Sequence, residues 1–428
     1  MSSNLAENAR APGRPGRRCR RRTTSPGSAR PSEVLRTFFL SGLLYIGASA
    51  AAGVAYALSG GDRLHWLALH LLFLGGISQL VLGAGQFFVC AFLATDPPPR
   101  GLIAAQMLTW NAGTLLVAVG VPTAHPGLVE AGGALIASGL LLFAVALAGM
   151  ERRSLQRAPW ALRWYQASAG CLGLGALLGV LMARGTAWSH GSLLGAHLAL
   201  NLAGWLGTAI LGTLHTFFPS LTQTRLRYQR LQTPTYLLWL LGVTELAVAA
   251  AFASDLLMVA GWGALLASAA LLCVNLFASL RDAARPLALP ARLLALGQAF
   301  LAVGLILALA ATIDGGASAP FQGGASGALA ALLLAGWIGL TVAGSLLHLL
   351  AVLRRIRRFN FTMPAPRPAR DRALSGAAAT GVSALALSHA PGLAGLSGPA
   401  SVVMLIAAAI LARQVLTLAL GTVARKAP

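Results

Sequence analysis

The 428-residue chain is 57% hydrophobic and only 10% charged, and its mean hydropathy is +0.73. Too few charged side chains remain to cover a water-soluble surface, so the composition excludes a soluble domain and predicts a polytopic membrane protein. The net charge of +21 lies in the N-terminal tail and in alternate loops. Because this is the positive-inside pattern of membrane proteins, it argues against a nucleic-acid partner.

The chain begins with a basic tail, residues 1–34, which is rich in Arg, Pro and Ser. We expect it to be disordered, cytoplasmic and in contact with lipid. No short cleavable apolar stretch follows its paired arginines, so the first span is expected to remain as an anchor. Residues 35–420 are predicted to form the polytopic transmembrane domain, and residues 421–428 a short cytoplasmic tail.

Apolar windows long enough to cross a bilayer follow one another along the chain, and the eleventh is the weakest. Windows of about 18 or more residues predict about twelve transmembrane helices. They lie near 35–58, 66–95, 101–121, 127–149, 164–183, 193–218, 234–253, 255–279, 290–312, 325–352, 373–390 and 398–420.

Loop arginines set the predicted orientation. The loops after the fourth, sixth, eighth and tenth windows are arginine-rich, whereas the intervening loops hold little beyond Arg63 and Arg184. The positive-inside rule then places both termini in the cytoplasm of a bacterial inner-membrane protein. The second, sixth and tenth spans run from the outer side to the inner side.

One segment occurs twice, with the pattern Ala-Gly-Trp-Leu/Ile-Gly followed by a further glycine and a histidine. The copies are 203–207 with Gly212 and His215, and 335–339 with Gly344 and His348. They are about 132 positions apart, which corresponds to roughly four membrane-spanning helices with their loops. The sequence therefore predicts an all-α integral membrane protein with three pseudo-repeated four-helix units.

The four cysteines are scattered singly: Cys19, Cys90, Cys171 and Cys273. The absence of a CxxC pair argues against a cysteine zinc site, an iron–sulfur cluster and covalent c-type haem. No P-loop, GxSxG or HExxH motif lies in a loop. Any chemistry is therefore expected inside the membrane, where polar side chains are costly.

Histidines dominate the polar residues of the spans. His197 and His215 share one face of the sixth span, roughly 27 Å and five turns apart. The predicted topology sorts the histidines into two layers. His65, His70, His190 and His197 gather toward the outer side, and His215 and His348 gather toward the cytoplasm.

Two interpretations of these histidines stay open. Neutral imidazole is well suited to bind haem iron or copper, and two histidines on facing helices suffice for a bis-histidine haem. Alternatively, the histidines satisfy interhelical hydrogen bonds between closely packed faces. The candidate haem-binding residues are His65, His70 and His197, and the candidate metal ligands are His190, His197, His215 and His348.

Four other polar residues form a candidate proton or ion path. Glu245 is an intramembrane carboxylate in the seventh span, which by default indicates a proton relay or an ion site. A neutral acid that is hydrogen-bonded to a neighbour explains it equally well. Asn201 in the sixth span and Gln79 and Gln86 in the second complete the set.

Three four-helix units with both termini inside resemble subunit I of the haem-copper oxidases and the related NnrS-type membrane proteins. The stretch 195–219 is similar to the sixth span of the cbb-type subunit. The resemblance implies that His197 is a copper ligand. It also implies that His65 or His70 matches the second-span histidine that ligates the low-spin haem.

A second resemblance involves the run 197–205 and the later segment 219–225. These stretches are similar to the membrane region of actinobacterial proteins, some of which are fused to cupredoxin domains of the copper nitrite reductase type. No cupredoxin domain is present in this chain. The resemblance implies a redox partner such as a cupredoxin or a cytochrome, and a role in respiratory, nitrogen-oxide or copper metabolism.

The chain also departs from the oxidase pattern. Leu329 occupies the tenth-span position equivalent to His197, and the seventh span offers Tyr236, Trp239 and Glu245 instead of an adjacent histidine pair. Oxygen reduction by the family mechanism is therefore not expected. A protein that binds haem or copper near its outer face remains the first interpretation. A proton-coupled permease and a cofactor-free scaffold remain as alternatives.

Overall fold

The computed structural model describes residues 29–155, 160–358 and 367–423. Twelve long helices and their connections account for this part of the chain, which contains no β-strand. The helices are α1 Pro31–Ser59, α2 Asp62–Phe92, α3 Arg100–Gly120, α4 Pro126–Arg153, α5 Trp160–Ala183, α6 Leu193–Thr222, α7 Gln232–Phe252, α8 Asp255–Asp282, α9 Leu289–Gly315, α10 Gly323–Arg357, α11 Pro368–Leu387 and α12 Ser397–Val423.

Within the described residues, eleven of these helices are long and apolar enough to cross a membrane. The remaining helix, α11, is 20 residues long and carries Arg370, Asp371 and Arg372 near its start, which lowers its mean hydropathy. It still packs against α9, α10 and α12. The prediction of an all-α, multi-pass membrane protein is confirmed.

Local sequence signals fix where several helices begin. Proline occupies the first turn of α1, α4, α9 and α11, where its missing N–H costs no hydrogen bond. Ser192 and Ser254 cap α6 and α8, because each hydroxyl accepts a hydrogen bond from a backbone N–H of the first turn. The helix starts are therefore encoded within a few residues of each boundary.

The predicted tails fall mainly outside the described residues. Residues 1–28 and 424–428 are not part of the described chain. Because α1 already begins at Pro31 and α12 continues to Val423, both helices extend a few residues into the predicted tails.

Three helices, α2, α6 and α10, each carry two glycines that contact the preceding helix. The glycines lie eight positions apart in every case, and a methyl group on any of them would overlap a side chain of α1, α5 or α9, respectively. The pairs are Gly75 and Gly83, Gly204 and Gly212, and Gly336 and Gly344. Close approach of backbones through small residues is the usual packing of membrane helices.

The same three helices each contain a π-helical segment. These segments are Leu71–Ile77 in α2, Ala199–Gly207 in α6 and Ala330–Gly339 in α10. A π-helical turn is rare and is found frequently at functional sites, since it redirects the side chains that follow it. Helices α2, α6 and α10 therefore depart from regular α-helical geometry at corresponding positions, in the first half of each helix.

A second kind of glycine contact joins neighbouring helices. Gly113 of α3 meets Gly132 of α4, and Gly242 of α7 meets Gly261 of α8. A methyl group on Gly113 or Gly242 would lie 2.8 Å from the carbonyl oxygen of the partner glycine. The two helix pairs are therefore packed in the same way.

Candidate functional site

His70 and His197 lie at corresponding places on two helices, α2 and α6, that contact each other. His70 immediately precedes the π-helical segment of α2, and His197 lies two residues before that of α6. Farther along the same interface, Trp205 Nε1 donates a 2.8 Å hydrogen bond to Ser78 Oγ, so the helices are joined directly.

The hydrogen bonds of the two rings determine which nitrogen is open. His70 Nδ1 lies 2.9 Å from the Trp66 carbonyl oxygen, and His197 Nδ1 lies 2.8 Å from the Gly175 carbonyl oxygen. Because a carbonyl only accepts, each Nδ1 carries the proton, and each Nε2 keeps its lone pair. Among the described residues, neither Nε2 takes part in a hydrogen bond.

Helix α5 holds the His197 ring in place through small residues. A methyl group on Gly179 would lie 3.2 Å from His197 Cε1, so the ring rests directly on the α5 backbone. Asn201 Nδ2 donates a 2.7 Å hydrogen bond to the His197 carbonyl oxygen and packs against Gly175. A histidine fixed by a carbonyl on its far nitrogen is the usual support of a metal-binding imidazole.

His70 is held mainly by its own helix. Its ring stacks on Trp66 with the centroids 3.8 Å apart and an interplanar angle of 20°. The hydrogen bond to the Trp66 carbonyl oxygen is made by the same neighbouring residue. Since both contacts come from one helical turn, the ring orientation is set within α2 itself.

The other two histidines of the predicted outer layer are exposed. His65 is exposed and stacks on Tyr56 of α1, with ring centroids 5.1 Å apart. His190 is exposed in the connection before α6 and meets Trp188 edge-on at 5.3 Å. Of these four histidines, His70 and His197 are therefore the two that are half-buried between helices.

The two histidines predicted to lie toward the cytoplasm, His215 and His348, each pack against an aromatic ring of another helix. His215 is 1% exposed, its Nδ1 donates to the Leu211 carbonyl oxygen at 2.8 Å, and its Nε2 has no hydrogen-bond partner. His348 meets the ring of Phe217 edge-on at 5.4 Å. Within the described part of the chain, no three or more of His, Cys, Asp and Glu are placed to hold a metal ion together. The ligand roles of His190, His197, His215 and His348 stay predictions.

Gln79 and Gln86 belong to a hydrogen-bond network with α3. Gln79 Nε2 donates to Asn111 Oδ1 at 3.2 Å, and Gln86 Nε2 donates to Gln106 Oε1 at 3.0 Å. These two amide–amide hydrogen bonds join α2 to α3, whereas Gln79 Oε1 and Gln86 Oε1 are buried without a partner. Asn111 and Gln106 were not singled out from the sequence, although both are polar residues at membrane depth.

Glu245 lies elsewhere, half-buried on α7 with Oε2 unpaired. Its helical neighbours Leu241 and Val248 are exposed, so this side of α7 lies at the edge of the bundle. No hydrogen bond among the described residues links Glu245 to Asn201, Gln79 or Gln86. A common proton or ion path through these residues stays a prediction.

Comparison with known proteins supports the fold. No protein-family model and no curated protein sequence matches the chain. The fold is similar to a chain of a haem-copper terminal oxidase dimer solved by cryo-electron microscopy, with a TM-score of 0.72 and 11% sequence identity. The match covers 93% of this chain and 85% of that chain. The expected likeness to the haem-copper oxidase fold is confirmed, whereas the NnrS-type likeness stays a prediction.

Proposed function

We propose that this membrane protein binds haem or copper between His70 and His197, near its outer face. The observation that carries the proposal is that two half-buried imidazoles lie on contacting helices, each with Nδ1 bound to a carbonyl and Nε2 without a hydrogen bond among the described residues. This tautomer presents the lone pair that an iron or copper ion needs. The similarity to an oxidase fold supports the same conclusion.

The donor set favours haem over a copper site of three histidines. Two axial imidazoles are enough for haem, because the porphyrin supplies the remaining ligands. Mononuclear copper sites in proteins usually need three or more side-chain ligands. Within the described residues no such group occurs, so haem is the first candidate and copper the second.

The proposal includes the threefold repeat of four-helix units. The glycine pairs of α2, α6 and α10 and the π-helical segment in each of these helices support it. The matching glycine contacts of α3 with α4 and of α7 with α8 support it as well. In such a repeat, His70 and His197 occupy neighbouring units at a similar height.

The role that fits this site is electron transfer or sensing. Leu329 stands at the tenth-span position equivalent to His197, so the ligands for a second haem are missing. A redox partner such as a cupredoxin or a cytochrome would reach the pair from the outer side, where His65 and His190 are exposed. We place the protein in respiratory, nitrogen-oxide or copper metabolism.

The decisive experiment is an oxidised-minus-reduced visible spectrum of the detergent-purified protein, with haem and copper quantified on the same sample. We expect a Soret band and one haem per chain, because His70 and His197 supply one pair of axial ligands. His190→Ala serves as the matched control, since this histidine is exposed and outside the pair. If the protein is expressed with both haem and copper supplied and carries neither, the proposal is wrong. The permease and scaffold interpretations would then remain.

The proposed orientation is tested with topology reporters. Alkaline phosphatase is active only outside the cytoplasm, whereas green fluorescent protein folds in the cytoplasm. We expect a fusion after Pro428 to fluoresce and an insertion after Thr186, between α5 and α6, to show phosphatase activity, because the arginine-rich loops remain inside. The reverse pattern would contradict both the orientation and the outer position of the histidine pair.

A further inference from the structure

A groove of about 540 Å³ runs along the outside of the helix bundle on α8. One face of α8, between residues 266 and 281, forms its length, and Ala302 of α9 and Tyr228, in the connection between α6 and α7, complete the lining. We call it the α8 groove. This stretch of α-helix rises about 22 Å, whereas one leaflet of a bilayer contributes roughly 15 Å of hydrocarbon. The groove is therefore long enough to hold one acyl chain of a lipid.

The middle of the α8 groove is apolar and contains several small side chains. Ala270 and Cys273 of α8 and Ala302 of α9 line it and leave space between larger neighbours. Phe277 also lines it and is 68% exposed. Because a chain that lies in a groove contacts it on more than one side, it gains more dispersion energy than a chain on a flat surface. The shape therefore favours one fixed acyl chain.

The two connections at the end of α8 that carries Arg281 are strongly basic. In the predicted orientation this end faces the cytoplasm. Residues 219–233 and 280–292 contain one acidic residue, Asp282, and six arginines, which are Arg225, Arg227, Arg230, Arg281, Arg285 and Arg292. Such an excess of positive charge beside a membrane attracts anionic lipid headgroups.

Arg227 and Arg281 share the carboxylate of Asp282 at this end of the groove. Arg227 Nη1 lies 3.7 Å from Asp282 Oδ2, and Arg281 Nε lies 3.7 Å from Asp282 Oδ1. One carboxylate neutralises only one of two guanidinium charges, and exposed ion pairs of this length are weak. Arginine N–H groups that remain available match the oxygens of a phosphate. The end of the groove is therefore suited to an anionic phosphate group.

A buried asparagine fixes the connection between α6 and α7 against α8. Asn275 is 1% exposed, and its Oδ1 accepts a 2.9 Å hydrogen bond from the Tyr228 backbone N–H. Its Nδ2 donates a 3.2 Å hydrogen bond to the Tyr228 carbonyl oxygen. Arg227, the preceding residue, is thereby held beside α8, with its guanidinium 5.8 Å from the centroid of the Tyr228 ring. The basic end of the groove is therefore preformed.

We propose that the α8 groove binds an anionic phospholipid from the cytoplasmic leaflet. One acyl chain lies along the apolar face of α8, and the phosphodiester accepts hydrogen bonds from Arg227 and Arg281. A zwitterionic lipid fits the same apolar face, but its cationic group is repelled by the surrounding arginines. The site shares no residue with the haem proposal and does not depend on it.

The test is native mass spectrometry of the full-length protein in detergent, titrated with phosphatidylglycerol or phosphatidylcholine that has identical acyl chains. We expect one phosphatidylglycerol per chain to bind saturably and more tightly than phosphatidylcholine. The double variant Arg227→Gln with Arg281→Gln should weaken phosphatidylglycerol binding by about tenfold or more, since each arginine near a membrane surface contributes to the attraction. The matched control, Arg370→Gln with Arg372→Gln, removes the same charge from exposed positions of α11 and should bind this lipid as the wild type does.

A second arm tests the acyl-chain contact without a change in charge. Ala270→Phe fills the groove and should weaken phosphatidylglycerol binding several-fold, whereas Ala267→Phe, also at an exposed position of α8 but outside the lining, should not. Glycerol phosphate, which lacks acyl chains, should not displace the lipid at an equal concentration.

Three results would overturn the proposal. They are equal binding of the two lipids by the wild type, equal phosphatidylglycerol affinity of the two double variants, and displacement of the lipid by glycerol phosphate, which would indicate a site for free phosphate. The haem spectrum should be the same in all these variants, so failure of the lipid site is distinct from failure of the haem site.

Discussion

If the proposed site holds haem or copper, replacing His197 by alanine is expected to abolish the signal of that cofactor. The substitution removes one of two ligands, whereas loss of a supporting hydrogen bond alone typically lowers metal affinity by about 10–100-fold. We therefore expect the affinity for the cofactor to fall by more than about 100-fold. Haem and copper content per chain and the reduced-minus-oxidised spectrum measure the effect.

His70→Ala should have the same consequence, because both ligands belong to one site. His215→Ala is the informative control, since this histidine is buried on the same helix but lies about five turns away. Retention of the full spectrum in both His70→Ala and His197→Ala, with normal folding by gel filtration, would show that any cofactor is bound elsewhere. A spectrum lost only in His215→Ala would move the site to the inner layer.

Replacing Gly212 by alanine is expected to destabilise the bundle strongly. The added methyl group would overlap Cβ and Cγ of Trp164, a side chain that is fully buried and lacks room to move. Overpacking of this kind typically costs about 1–3 kcal/mol, and more where the neighbour is rigid. The midpoint of thermal unfolding in detergent, followed by tryptophan fluorescence, should therefore drop by several degrees or more.

Gly170→Ala on α5 is the matched control. No atom lies within 4 Å of the methyl group that it introduces, so the change should leave the midpoint unchanged or raise it slightly through helix propensity. Gly204→Ala tests the second contact of the pair, where the methyl group would lie 2.7 Å from Cys171 Cβ. Equal midpoints for Gly212→Ala and Gly170→Ala would contradict the packing of α5 against α6.

Part of the candidate site was predictable from sequence. The Gly-Trp motif pointed to α6 and α10, and the intramembrane histidines pointed to haem or copper chemistry. The sequence did not distinguish His65 from His70, because five positions rotate a side chain by about 140° and either ring could have faced α6. The sequence also did not indicate that the Gly175 carbonyl and the backbone at Gly179 hold the His197 ring in place.

The sequence by itself determined the class of the protein, the approximate number of membrane helices and their boundaries. These follow from hydropathy, proline and capping residues, which act within a few positions along the chain. Only the tertiary structure decided that His70 and His197 are half-buried with Nδ1 bound to a carbonyl, that Gln79 and Gln86 pair with α3, and that a cavity lies between α2 and α6 to α10. These features depend on how each helix is rotated about its axis. That rotation is set by contacts such as Gly212 with Trp164, between residues on different helices.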